Sequence, residues 1–147
     1  MGGRRASLIV VTAVAAALTV AAPAWGSTAR PAELALVEAI NEVRATHGLR
    51  LVVVAPALLE KARGHARELL ARDEFFHGHL RPGTGEVLAW GTREVMGARA
   101  VVHRWMLSAQ HRAILLSPAA WRAGVGVALG GFQGEAGVRL VVVRLSR

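Results

Sequence analysis

Histidine, serine and glutamate are the residues of this chain whose spacing could support chemistry, because cysteine and tyrosine are absent. Without cysteine, a thiol nucleophile and every zinc site built on thiolates are excluded. Ser108 and His111 are three positions apart, so on one helix they could face the same side. With Glu86 they would formally make a Ser/His/acid set, as in a hydrolase, but no Gly-x-Ser-x-Gly elbow presents the serine. Either residue could equally serve to cap or brace its helix.

The other histidines have different settings. His77 and His79 lie in one loop segment. His65 and His103 fall on helix faces among charged residues, where a surface or satisfied core position is the simpler interpretation. The simpler interpretation of His77 is a solvated loop side chain. Glu86 could do no more than accept N–H bonds from the glycine-rich turn before it.

The elements that must position these residues begin with two amphipathic helices. Pro31 suits the first position of a helix, and Gly48 is a natural stop. The apolar stripe at helical spacing is Leu34, Val37, Ile40 and Val43. Glu33 is expected to lie off this stripe. A second helix is predicted from Pro56 to near Asp73.

The second half of the chain combines short strands and short helices. The predicted elements are a strand over 86–90, a helix over 98–107, a helical turn over 111–115 and strands over 124–129 and 138–145. The last strand is apolar on both faces, which predicts a central strand covered on both sides. Because helices come first and the clear strand pair comes last, the pattern indicates an α+β fold.

Several segments, taken in order, resemble the CAP superfamily, the SCP-like domain of cysteine-rich secretory, antigen 5 and pathogenesis-related proteins. The segments are Leu36–Arg44, Leu49–Leu58, Phe76–Gly78, Gly85–Gly91, Trp105–Leu116 and Val125–Val127. The fourth is similar to the family's Gly-Glu-Asn-x-Ala element, with Val87 in place of Asn. The fifth is similar to the bacterial Trp-x-x-Ser-x-x-His-Arg-x-x-Leu block. The resemblance implies one domain over 31–147, a three-layer α/β/α sandwich with a small three-stranded antiparallel sheet between helices.

The resemblance also implies a cleft lined by two histidines and two acids. Carried over, the histidines fall on His77 and His111 and the first acid falls on Glu86. The second acid falls on Ser108, which is a departure from the family pattern. Three donors, His77, Glu86 and His111, would then remain for zinc or another divalent metal, and we expect weak or absent binding from so few ligands.

The first residues are typical of an export signal. Arg4 and Arg5 precede an uncharged apolar run from Leu8 to Val20, and small-residue cleavage sites follow at Ala24 and Gly26. We therefore predict a signal peptide over 1–26 and a secreted or cell-envelope protein. A retained anchor is the alternative, and the arginine pair leaves both the general secretory and the twin-arginine routes open.

The chain carries a formal charge of +8, to which Arg4 and Arg5 contribute two. Such a charge favours acidic partners, including cell-envelope polymers. The arginines are scattered rather than interleaved with aromatic residues, so nucleic-acid binding is not expected.

Three functions remain open at this point. The first is a monomeric binding or envelope-associated module for a lipid-like, peptide or envelope-polymer ligand, as the resemblance implies. The second is a Ser/His hydrolase using Ser108 and His111. The third is a structural envelope protein with a vestigial cleft, which the short loop between His77 and Glu86 would favour.

Overall fold

The structure is a computed structural model that describes residues 28–147. The export signal predicted for residues 1–26 lies outside the described residues. Within residues 28–147, no helix is both long enough and apolar enough to cross a membrane.

Four helices and four strands make up the described chain. The helices are α1 (Pro31–Thr46), α2 (Pro56–Arg72), α3 (Ala98–Leu107) and α4 (Ala109–Leu115). The strands are β1 (Val53–Val54), β2 (Thr84–Thr92), β3 (Arg122–Phe132) and β4 (Glu135–Ser146). The α+β class and the sandwich architecture agree with the sequence prediction.

The strands form one sheet in the order β1-β3-β4-β2. Strand β4 pairs antiparallel with both β2 and β3, so it is the central strand that its apolar residues predicted. The predicted three-stranded antiparallel sheet is incomplete, because β1 adds a fourth strand parallel to β3. Two residues of pairing, Val53 with Arg122 and Val54 with Ala123, are too short to be recognised from a periodic pattern.

Helices cover both faces of the sheet, and each face has its own apolar cluster. Val87, Val141 and Val143 pack towards α1, α3 and α4 in one cluster. Leu88, Leu140 and Val142 pack towards α2 in the other. Because successive strand residues point to opposite faces, each position in β2 and β4 belongs to one of these two layers.

Two glycines allow α2 to lie directly on the sheet. A Cβ on Gly124 would collide with the backbone of Leu58, and a Cβ on Gly126 would collide with the backbone of Ala62. Gly124 and Gly126, on one face of β3, therefore let the helix backbone approach the strand. This close contact holds the α2 layer, which carries part of the candidate site.

The buried face of α1 differs from the predicted stripe. Leu34 is 42% exposed, whereas Glu33 is fully buried. Glu33 is buried because both of its oxygens are satisfied: Arg63 Nε and Nη2 donate at 2.8 and 2.6 Å, and the Arg30 N–H donates at 2.7 Å. A hydrophobic stripe cannot reveal such a pair, since its second member comes from another helix.

Arg44 is the other charged residue buried on α1, and it lies near the carboxyl end of this helix. Its guanidinium donates to the carbonyl oxygens of Arg50, Leu115, Ser117 and Ala120 at 2.7–3.1 Å. These bonds fix the segments that follow α1 and α4 against the helix. Arg44 has a structural task that the sequence pattern did not indicate.

Candidate functional site

Glu86 is the centre of the candidate site. It lies on β2 directly opposite Arg144 of β4, and its side chain is fully buried on the face covered by α2. The strand that carries it is anchored from the other layer, because Trp105 Nε1 of α3 donates to the Leu88 carbonyl at 3.0 Å. A carboxylate in such a place needs several partners.

Four groups meet the Glu86 carboxylate. Arg144 Nε donates to Oε2 at 2.7 Å, and the Gly78 N–H donates to Oε1 at 2.9 Å. His77 Nδ1 lies 3.1 Å from the same Oε1. His65 Nε2 lies 3.7 Å from Oε1 and 3.0 Å from the Phe76 carbonyl oxygen. We call Glu86, Arg144, His77 and His65 the Glu86 network.

The network keeps Glu86 ionised. Burial by itself would raise the pKa of Glu86. The bonds from the Gly78 N–H and Arg144, with the charges of Arg144 and His65, outweigh burial and hold the pKa below its ordinary value of 4.5. Near neutral pH, Glu86 is therefore a charged acceptor with both oxygens engaged.

His77 is the member of the network that reaches solvent. Its side chain is 59% exposed, whereas those of His65, Arg144 and Glu86 are at most 9% exposed. It lies in the segment between α2 and β2, next to Gly78. A ligand arriving from solvent would meet His77 first.

Ser108 and His111 lie apart from this network. Ser108 has an extended backbone conformation, with φ −95° and ψ 124°, and separates α3 from α4. The assumption that Ser108 and His111 share one helix is therefore wrong. Between the described residues, no hydrogen bond joins either side chain to the other or to Glu86.

His111 also belongs to the other layer of the fold. A Cβ on Gly85 would contact Ile114 of α4, whereas the next residue, Glu86, points towards His65 of α2. Helix α4, and His111 with it, therefore lies across the sheet from the Glu86 carboxylate. The structure brings together two of the four predicted cleft residues, His77 and Glu86.

The residues present do not fit a divalent metal. Among residues 28–147, no three His, Asp or Glu side chains are grouped so that they could hold an ion. The three predicted donors, His77, Glu86 and His111, are divided between two faces of the sheet. A cation at Glu86 would also face the Arg144 guanidinium 2.7 Å from the carboxylate.

Sequence reasoning missed Arg144 and His65. Arg144 had a signal, since it directly follows the apolar run 140–143 of the central strand, where a charged side chain requires a buried partner. His65 was expected at the surface or as a satisfied core residue, and it is a core residue, 4% exposed. Its link to Glu86 depends on how α2 lies across the sheet, which the sequence did not define.

A cleft opens beside Arg144 on the same face of the sheet. Its volume is about 340 Å³, and it lies between the start of α2, the segment before β2 and the ends of β3 and β4. We call it the basic cleft, because its charged or titratable lining residues are Lys61, His79, Arg81, Arg122, Arg144 and Arg147. No aspartate or glutamate is among the described residues that line it.

Comparison with known proteins agrees with this fold. The sequence model described as "CAP: Cysteine-rich secretory protein family" matches residues 37–143. A search of curated protein sequences found no significant match.

Three solved structures are similar to this chain in fold at low sequence identity. An outer surface protein from Borrelia burgdorferi is 19% identical, with a TM-score of 0.63 over 76% of this chain and 89% of that one. An extracellular SCP-domain protein from Bacillus anthracis is 18% identical, with a TM-score of 0.58 over 83% and 45%. NaASP2, solved with Zn²⁺, is 12% identical, with a TM-score of 0.58 over 80% of each chain. At these identities the structures show a common fold. Since the family match covers more than half of the sequence, the chain belongs to the CAP family of cysteine-rich secretory proteins, although it contains no cysteine.

Proposed function

We propose that this protein is an exported binding module that holds its ligand at the Glu86 network and the adjoining basic cleft. One observation supports binding above all: the buried carboxylate is saturated by Arg144, Gly78 and His77. A general base needs a free lone pair directed at substrate. Glu86 instead fixes the positions of Arg144, which lines the basic cleft, and of the exposed His77.

A hydrolase based on Ser108 finds little support in the geometry. A nucleophilic serine requires its base within about 3 Å, and Ser108 and His111 make no bond to one another among the described residues. We expect a fluorophosphonate probe to leave Ser108 unlabelled. Labelling that disappears in Ser108→Ala but persists in Ser117→Ala would overturn the binding proposal in favour of catalysis.

We propose that the site works without zinc, although the structure of NaASP2 was solved with Zn²⁺. The network residues that could ligate a cation are Glu86, His77 and His65, and the carboxylate of Glu86 is already bound to Arg144. Titration calorimetry with zinc chloride should give no heat that depends on His77. Micromolar binding that vanishes in His77→Ala, and is unchanged in His103→Ala, would contradict this.

The binding proposal itself is tested by NMR on the purified ¹⁵N-labelled protein. Octanoate, a tetrapeptide and N-acetylglucosamine serve as separate probes for lipid-like, peptide and envelope-polymer ligands. We expect one of them to shift the Gly78 amide, which touches Glu86, while the exposed Gly134 amide stays in place. The same probe should bind more weakly to His77→Ala than to His103→Ala. If none of the three shifts Gly78 and inorganic phosphate does not bind either, the vestigial structural alternative replaces the binding proposal.

Export is the second part of the proposal. It rests on the charge and apolar pattern of residues 1–26, and two structural relatives are described as outer surface and extracellular proteins. We propose a secreted or envelope location, reached by removal of residues 1–26.

A further inference from the structure

We propose that the basic cleft binds the phosphate group of a small phosphorylated compound, with Arg144 at its base. This inference rests on the proposed binding function and names the class of ligand. Lys61, Arg81, Arg122 and Arg147 surround Arg144, and no acidic side chain is among the described lining residues. Glu86, which accepts a bond from Arg144, balances a single positive charge.

Arg144 carries the argument. Its side chain is only 9% exposed, and its one hydrogen bond to a described residue uses Nε, which donates to Glu86. The two Nη groups have no partner among residues 28–147, yet they are not sealed from solvent, and Arg144 lines the cleft. The guanidinium is fixed through Nε, and Nη2 lies beside Gly78. The two Nη groups form a planar fork of donors, which suits two oxygens of one phosphate.

The start of α2 adds to the positive electrostatic potential of the basic cleft. Ala55 and Ala57 line the cleft, and this helix end has neither a side-chain cap nor an acid in its first turn. Pro56 has no N–H and the Leu58 N–H donates to the Ala55 carbonyl at 3.0 Å, so the first turn offers the Ala57 N–H. This group and the helix dipole favour a negative group there. This contribution is independent of Arg144 and directed at the same space.

The size and charge of the cleft indicate more than a single monovalent anion. A volume of about 340 Å³ exceeds one phosphate and falls in the range of small-molecule sites. Lys61 and Arg81 are exposed and make no side-chain hydrogen bond to a described residue, so both are free to turn to the ligand. A phosphate ester of a polyol or sugar meets both requirements, since its charge matches the arginines and its hydroxyls match the polar rim.

The test uses inorganic phosphate and glycerol 3-phosphate, with acetate as the singly charged comparison, in titration calorimetry at low salt. The cleft variant is Lys61→Gln with Arg81→Gln. Its matched control is Arg67→Gln with Arg93→Gln, which removes one exposed cation from α2 and one from a loop elsewhere. We expect both phosphates to bind more tightly than acetate. The cleft variant should bind them about five- to tenfold more weakly, and the control should change affinity by less than about twofold.

Arg144→Lys provides the second variant, because it keeps the charge opposite Glu86 while removing the Nη pair. With far-ultraviolet circular dichroism unchanged, phosphate affinity should fall by about tenfold. An Arg144→Lys protein that is folded and binds phosphate as wild type does would overturn the assignment. Because Lys61 and Arg81 are exposed, the first variant pair decides the matter even if Arg144→Lys unfolds.

The remaining outcomes separate the sources of phosphate and the two proposals. If phosphate affinity falls equally in the cleft and control variants, net charge alone attracts the phosphate and the proposed site is overturned. The site is also overturned if the wild-type protein binds neither phosphate. If the protein binds phosphatidylcholine vesicles only when they contain phosphatidic acid, and binds no soluble phosphate, the soluble ligand is overturned in favour of a lipid headgroup.

If phosphate does not bind but octanoate, peptide or sugar shifts Gly78, the binding function stands with a different ligand. If phosphate binds the cleft and His77→Ala has no effect, the cleft stands without His77.

Discussion

At the scale of single residues, the site depends on one buried carboxylate that organises groups from three parts of the chain. Glu86 on β2 contacts Arg144 on β4, His65 on α2 and the segment around His77 and Gly78. A buried ion pair contributes little net stability when complete, yet removal of one partner leaves the other uncompensated. The network is therefore sensitive to changes that keep volume and alter charge.

Glu86→Gln tests this sensitivity. The amide keeps the shape of the side chain but leaves Arg144 buried without its counter-charge, so the free energy of unfolding should fall by about 3 kcal/mol. Urea unfolding followed by circular dichroism measures it. The control is Glu42→Gln, which breaks the exposed pair with Arg99 and should leave the stability almost unchanged. Equal effects at both positions would contradict the assigned role of Glu86.

The same carboxylate predicts a pH dependence. The pKa of Glu86 is held below its ordinary value of 4.5 in the folded state, so its ionised form favours the fold. This contribution is complete above about pH 4.5 and is lost as the pH falls through the folded-state pKa. Wild type should therefore lose more stability than Glu86→Gln when the pH is lowered from about 6 to about 3. Parallel pH profiles in thermal unfolding would show that Glu86 is not the group responsible.

Gly78→Ala tests how closely the network is packed. A Cβ on Gly78 would collide with Arg144 Nη2 and press on the His65 ring. Unfolding stability should fall by about 1–3 kcal/mol, and phosphate affinity should fall with it. Gly64→Ala is the control: a Cβ at this α2 position meets nothing within 4 Å, so the change should stabilise the helix by up to about 1 kcal/mol. Retained phosphate affinity in Gly78→Ala would contradict the position assigned to Arg144.

At the scale of elements, the contact between α2 and β3 decides where the site is built. Gly124 and Gly126 allow the helix backbone to lie on the strand, which places His65 above Glu86 and the start of α2 beside the basic cleft. Larger residues at either position would lift the helix from the sheet. The site and the packing of this layer therefore depend on the same two glycines.

Gly126→Ala should destabilise the fold because its Cβ would meet the backbone of Ala62, which cannot rotate away as a side chain could. A loss of about 1–3 kcal/mol is expected in urea unfolding. Gly131→Ala, in the same strand, meets its nearest neighbour at an ordinary 3.7 Å and should have little effect. Comparable losses in the two variants would show that strand propensity, rather than helix contact, is responsible.

The bounds of the helices could be predicted from the sequence better than the contacts between distant segments. The helix predicted over 98–107 has those bounds, and the second helix ends at Arg72 beside the predicted Asp73, because periodicity, proline and glycine act locally. The resemblance brought His77 and Glu86 to notice, and the structure places them 3.1 Å apart. It did not locate His111, whose layer depends on which face of the sheet α4 covers. Glu33 and Arg144 escaped the pattern because each is buried with a partner distant in sequence.

At the scale of the whole molecule, the described domain is stable without disulfides. The chain contains no cysteine. The two apolar clusters join the layers instead, the pair Glu33–Arg63 joins α1 to α2, and the pair Glu86–Arg144 joins two strands of the sheet. Reducing agents should therefore leave its thermal unfolding midpoint unchanged.

Export gives a further expectation for the intact protein. The chain recovered from the culture medium or envelope should lack residues 1–26, so that amino-terminal sequencing reads Ser27-Thr28. Val14→Arg, within the apolar run, should keep the protein in the cytoplasm at full length, whereas Val95→Arg in an exposed loop should not. An intact amino terminus on the exported wild type would indicate the retained anchor instead.

Arg63 binds the first described residues, and this contact bears on whether the signal peptide is cleaved before or after the domain folds. Arg63 Nη2 donates to the Thr28 carbonyl at 3.0 Å, and the Arg30 N–H is bound to Glu33. A peptidase cutting before Ser27 must take this stretch into its active site, and in the finished domain that requires local opening. A chain that crosses the membrane unfolded would lose its signal peptide before the Arg63–Thr28 bond forms. A chain that crosses already folded, by the twin-arginine route, would have to break this bond before cleavage. Arg63→Ala should thus hasten trimming in a pulse–chase experiment only on the second route, so that a contact inside the fold reports the path by which the protein left the cell.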